Sequence, residues 1–125
     1  MYRITTALLF SLQLLAPTAA FAGPRGDHEQ KCGDGSTAEI VDCLKGHTAE
    51  ADKRLNIAFE AAIKASTPKQ VEQLRVAERL WIQFRDADCL FFDLGEGTVA
   101  SITAGQCMLS LTEARTRELE TIGHQ

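Results

Sequence analysis

The feature that most constrains this chain is a run of small and apolar residues recurring every three or four positions. Ile40, Leu44, His47, Ala51, Leu55, Ala58, Ala62 and Ala65 make one stripe of helical period, too long for any strand. Ser36-Thr37-Ala38-Glu39 ahead of it is a capping box, in which a hydroxyl and a glutamate three residues later satisfy each other's backbone amides. Ser66-Thr67-Pro68 ends it, because the residue before a proline is driven out of helical geometry. The same proline is preset for the first position of a second helix capped by Thr67.

On that second helix the apolar face reads Val71, Leu74, Ala77, Trp81, Phe84 and Phe91, widened by Leu80 and Leu90. Gly95-Glu96-Gly97 closes it. A third helix starts between Thr98 and Thr103 and carries Ala104, Cys107, Met108, Leu111, Leu119 and Ile122 inward. Glu113, Arg115, Arg117, Glu118 and Glu120 fall mostly outward. Strand-like alternation is absent. The expected fold is all-α, an antiparallel helical hairpin plus a third helix. With a turn near Pro68, residues level on the first two helices have numbers summing to about 135. That register pairs Leu55 with Leu80, Ala51 with Phe84, and Leu44 with Phe91.

The chain opens with Arg3, an apolar run and Ala20-Phe21-Ala22, the pattern of a secretory signal cut near Ala22. Residues 1–22 are therefore expected to be a leader and 23–125 one domain, with 23–35 an irregular arm. The apolar run is short for a membrane span, and no later segment approaches one. Removing 22 of 125 residues would leave 103, with 12 Lys and Arg against 17 Asp and Glu, a net charge near −5. Such a balance argues against nucleic acid, whose phosphates need a basic footprint. It suits a basic protein partner, through steering more than contact energy.

Cys32, Cys43, Cys89 and Cys107 all follow the expected leader, and an even count in a small exported domain reads as two disulfides. Four cysteines allow three connectivities, and spacing does not choose among them. Two local bridges, Cys32–Cys43 and Cys89–Cys107, are the simplest. A bond between Cys89 and Cys107 needs Cα atoms within ~7 Å, which centres the second turn near residue 98. Zinc is disfavoured, because ten residues between the first two cysteines is not the close pairing of a zinc ligand set. Asp34, Asp42, Glu50 and Glu60 lack the spacing of a calcium loop, and Gly33-Asp34-Gly35 follows no strand as a phosphate cradle would. No cofactor motif is present.

Asp88 lies in the second apolar stripe, level with His47 in the first. The expectation is a buried His47–Asp88 pair, satisfying each other at the core edge as buried polar groups must. A hydrolytic dyad is the sharper alternative, but no serine or thiol stands ready as nucleophile. Arg85 can reach Asp52 across the hairpin, with Asn56 one turn on and Asp86 beside it. The leading reading is a structural fork, a guanidinium holding a carboxylate and an amide. Trp81, with Ala77 and Phe84 as helical neighbours, is read as core.

In their order, Cys32, Cys43, "ADKRLNIAF" (51–59), "WIQFRDADC" (81–89), a glycine turn, Cys107 and "LTEARTREL" (111–119) resemble the LprI N-terminal domain family. These are small exported bacterial proteins named after a lysozyme-inhibiting member. Three departures stand out. Phe59 occupies a usual tyrosine position, the loop reads Gly-Glu-Gly-Thr where a Gly-Gly-Ser type is usual, and the lipid anchor of the naming member is missing. The resemblance implies helices and disulfides and a non-enzymatic protein that binds and inhibits lysozyme, while the missing anchor implies that it is free in the periplasm. Asp34 in the arm and Glu96 in the loop are the candidate partner contacts. The alternative is an envelope or stress-related interaction module with another protein partner.

Overall fold

The computed structural model describes residues 32–124, so the expected leader and most of the arm lie outside the described residues. Three helices follow one another: α1 (Thr37–Ala65), α2 (Pro68–Asp93) and α3 (Val99–Gly123). Among the described residues there is no strand.

Each boundary has a local cause. Ser36 Oγ accepts from Glu39 N, and Glu39 Oε2 accepts from Ser36 N at 2.7 Å, so both halves of the capping box form. The hydrogen bonds that the Glu39 carboxylate accepts from Ser36, from its backbone N–H foremost and then from its hydroxyl at 2.8 Å, hold that carboxyl below its usual range. Thr67 and Gln70 repeat the device at α2, with Pro68 at its first position. Between α2 and α3 the chain reverses through Gly97 at φ 78°, a left-handed conformation that glycine adopts without steric cost.

The expected α1 stripe is the buried one: Leu44, Ala51, Leu55, Ala58 and Ala62 face inward. Its main partner is α3. At one end Leu44 and Ala51 pack with Cys32 and Leu109, flanked by Ile40, Cys43 and Ile102. At the other Leu55, Ala58 and Ala62 pack with Leu119, flanked by Phe59, Leu74, Trp81 and Ile122. A Cβ on Gly105 would stand 3.2 Å from Leu44 Cβ, and one on Gly123 would stand 3.2 Å from Ala61 Cβ. The two glycines therefore let α3 run close along α1, parallel to it.

That close approach corrects the expected pairing of α1 with α2. Leu80, Phe84 and Phe91 do not meet Leu55, Ala51 and Leu44; they are 59%, 55% and 74% exposed. Trp81 instead joins the Leu55 cluster, and Gly105 of α3 covers Leu44. On α3 the most buried line is Gly105, Leu109, Thr112, Thr116, Leu119 and Gly123, a helical stripe built largely of small and polar residues. Ala104, Cys107, Met108, Leu111 and Ile122 are half-buried along its flanks.

Two disulfides close the fold. Cys32–Cys43 spans 5.7 Å between Cα atoms, and Cys89–Cys107 spans 5.5 Å. The first ties the chain ahead of α1 to that helix; the second fastens α2 to α3. No described helix is long and apolar enough to cross a membrane.

Candidate functional site

Arg85 is the centre of the polar structure between the helices. It is 9% exposed, held on the inward side of α2 one turn from Cys89. Its Nη1 donates to Asp52 Oδ1 at 3.0 Å and to Thr112 Oγ1 at 3.2 Å, while its Nε donates to Asp86 Oδ1 at 3.0 Å. The guanidinium carbon stands 5.2 Å from the centre of the Trp81 ring. One cation thus links all three helices, and each donor pair fixes its plane. Asn56, expected as the amide of this fork, is exposed; fully buried Thr112 takes that place. Thr112 can do so because its own hydroxyl donates to Met108 O at 2.7 Å, leaving its lone pairs to Arg85.

A second brace lies further along. Arg115 was expected outward, yet it turns inward to Glu78, with Nη2 2.9 Å and Nε 3.0 Å from Glu78 Oε2. Its Nη1 also donates to Glu118 at 2.9 Å. Burial pulls the Arg115 pKa down, but the hydrogen bonds to Glu118 and Glu78 outweigh it and raise the value above its ordinary one. Apolar periodicity could not reveal this pair. The available signal was the opposite charge of Glu78 and Arg115 at level positions once Cys89 and Cys107 are joined.

His47 and Asp88 are half-buried, not buried. Asp88 Oδ2 lies 3.8 Å from Cys107 Sγ, a bridged sulfur with no proton to donate. His47 stands beside the other bridge: its ligand atom and the sulfurs of Cys32 and Cys43 lie within 4.8 Å of one another. That is metal-ligand proximity, but two sulfurs bonded to each other are not thiolate ligands.

Asp34 and Glu96 are both exposed. Because α1 and α3 run parallel and α2 antiparallel to them, the start of α1 and the α2–α3 turn share one end of the bundle. Ile40 and Ile102 pack into the same cluster there. That end also carries Glu39, Asp42, Asp88 and Asp93, and both disulfides. The only described cation in the segments that form it (32–47 and 88–108) is Lys45, 3.9 Å from Asp42. The opposite half mixes Lys53, Arg54, Lys64, Arg75, Arg79 and Arg117 among its acids. Among the described residues, the fold therefore gathers the excess negative charge at the doubly bridged end.

A family profile described as "Lysozyme inhibitor LprI" matches residues 29–119, which includes both bridges, both arginine braces and the acidic end. No curated protein and no solved structure matches the chain.

Proposed function

The chain belongs to the lysozyme inhibitor LprI family, and from that premise we propose that it is an exported, non-enzymatic inhibitor of lysozyme. The observation that carries this reading is the acidic, doubly bridged end. A basic lysozyme is steered toward a concentrated negative surface. The turn and the short segment from Cys32 to Ser36, each tethered by a disulfide, then lose little conformational entropy when they cover the substrate cleft. Asp34 and Glu96, exposed on the two segments that form this end, are the proposed contacts. The arginine braces are scaffold: they join the three helices that bring residues 32–36 and the α2–α3 turn to the same end of the bundle. Export into the periplasm fits the signal-like first 22 residues and the two bridges, which persist in an oxidising compartment.

The test is a titration of the purified, oxidised chain into lysozymes of several classes acting on cell walls, with a reduced and alkylated control. Stoichiometric inhibition is expected, lost on reduction and weakened by added salt. The charge reversals Asp34→Lys and Glu96→Lys, combined, should weaken inhibition about tenfold or more. Inhibition indifferent to salt and to both reversals would overturn the electrostatic mechanism. No inhibition of any class by a folded, doubly bridged sample would favour the rival reading. That rival is an envelope or stress-related module with another protein partner, for which the exposed apolar face of α2 is the supporting observation.

A further inference from the structure

Helix α2 is turned in an unusual sense: the side it buries holds Glu78, Arg85 and Cys89, while a long apolar stripe faces solvent. Val76, Leu80, Phe84, Ala87, Phe91 and Leu94 follow one another at steps of three and four, with Leu90 alongside. At 3.6 residues per turn they share about a third of the helix circumference. Between residues 73 and 94 that sector holds no charge; its polar members are Gln73 and Gln83. Exposure reaches 74% at Phe91, 76% at Leu94 and 55% at Phe84.

We propose that this face is the contact between two copies of the chain, paired through antiparallel α2 helices about a two-fold axis. Area is the first argument. From the exposures, the stripe offers roughly 600 Å² per chain, as much bare apolar surface as a soluble monomer ordinarily leaves. Two copies together reach roughly 1,200 Å², where specific stable interfaces begin.

Charge is the second argument, and it selects a second copy over other partners. When two identical helices pair antiparallel about a two-fold, the same edge of each meets the other with its direction reversed. One edge of the stripe reads Arg75 and Arg79 in its first half, then Asp86 and Asp93 in its second. The register that sets Val76 against Phe91 and Leu80 against Ala87 brings Arg75 level with Asp93 and Arg79 level with Asp86. A single helix edge therefore complements itself. Arg75, Arg79 and Asp93 are exposed, and Asp86, although it accepts from Arg85, keeps 56% of its side chain exposed.

Sedimentation velocity on the protein expressed from its full sequence and purified oxidised tests the pairing from about 1 to 100 µM. The expected result is a shift from one to two chain masses across that range. Phe84→Glu and Phe91→Glu should each hold the protein at one chain mass, with unchanged helical circular dichroism because neither ring is in the core. Arg75→Glu and Asp93→Arg should each weaken the dimer about tenfold, since symmetry counts each reversal twice, and the double variant should recover. A single chain mass at every concentration would overturn the proposal. So would a dimer indifferent to Phe84 and Phe91, species larger than two chains, or a double charge variant weaker than both singles.

Discussion

Arg85 shows how much of the structure one residue can carry. Its carboxylate partners are partly exposed, with Asp52 at 44% and Asp86 at 56% of the side chain, so neither ion pair alone contributes much. Thr112 is different: it is fully buried, and without the guanidinium its hydroxyl oxygen loses its donor. Arg85→Ala should therefore destabilise by about 2–4 kcal/mol, through that loss and the lost packing on Trp81. Arg85→Lys should recover less than half, because a point charge cannot hold three acceptors in one plane. Urea unfolding of the two variants measures this, and equal stability of the lysine variant and the parent would refute the planar brace. The residues of this brace were legible in the sequence as Arg85, Asp52 and Asp86. Thr112 was not, because a threonine in a helix gives no apolar signal and its role depends on which way α3 is rotated.

Between elements, the deciding fact is that α3 lies close along α1. Two glycines inside helices make the comparison. Gly46 in α1 has nothing within 4 Å of where a Cβ would stand, so Gly46→Ala should stabilise by about 0.5–1 kcal/mol through helix propensity. Gly105 in α3 faces Leu44, whose Cδ1 would lie 3.0 Å and Cβ 3.2 Å from an added Cβ. Gly105→Val should destabilise by about 1–3 kcal/mol by forcing the helices apart. Thermal unfolding of both reads the contrast, and a stable Gly105→Val variant would mean that α1 and α3 are not held at this distance. Sequence periodicity marked α1's inward face from Ile40 to Ala62, with only the terminal Ala65 left exposed, since the stripe is continuous and the opposite side is largely charged. On α2 it was right for Val71, Leu74, Ala77 and Trp81, which are half-buried, and wrong for Leu80, Phe84, Leu90 and Phe91, because α2 is apolar on two sides and period alone cannot say which side a neighbour will cover.

At the scale of the whole molecule the core is thin. Leucines at 44, 55, 109 and 119 and the alanines at 51, 58 and 62 make most of it, while the phenylalanines at 84 and 91 stay outside. Small domains of this kind rely on covalent staples. Each bridge here closes a short loop, with sequence separations of 11 and 18, and on a loop-entropy account contributes about 3 kcal/mol. Since domains of this size are stable by about 5–15 kcal/mol, replacing all four cysteines by serine should bring the chain close to unfolding at room temperature. Replacing either pair alone should leave cooperative unfolding at lower urea. A fourfold serine variant as stable as the parent would show that the helices hold without staples.

The sequence by itself determined where α1 and α2 begin and end and most of the face that α1 buries. These depend on neighbours a few residues apart: the Ser36 and Thr67 caps, the stop before Pro68, and the period of Ile40 to Ala65. It also placed the cysteines where local bridges could form. Only the tertiary structure decided that α3 and not α2 covers Leu44, that Glu78 and Arg115 meet inside, and that Leu80, Phe84 and Phe91 remain at the surface. Those outcomes depend on how closely two backbones can approach. Gly105 and Gly123 allow that approach, and glycine carries no hydrophobic signal that a reading of apolar periodicity could register.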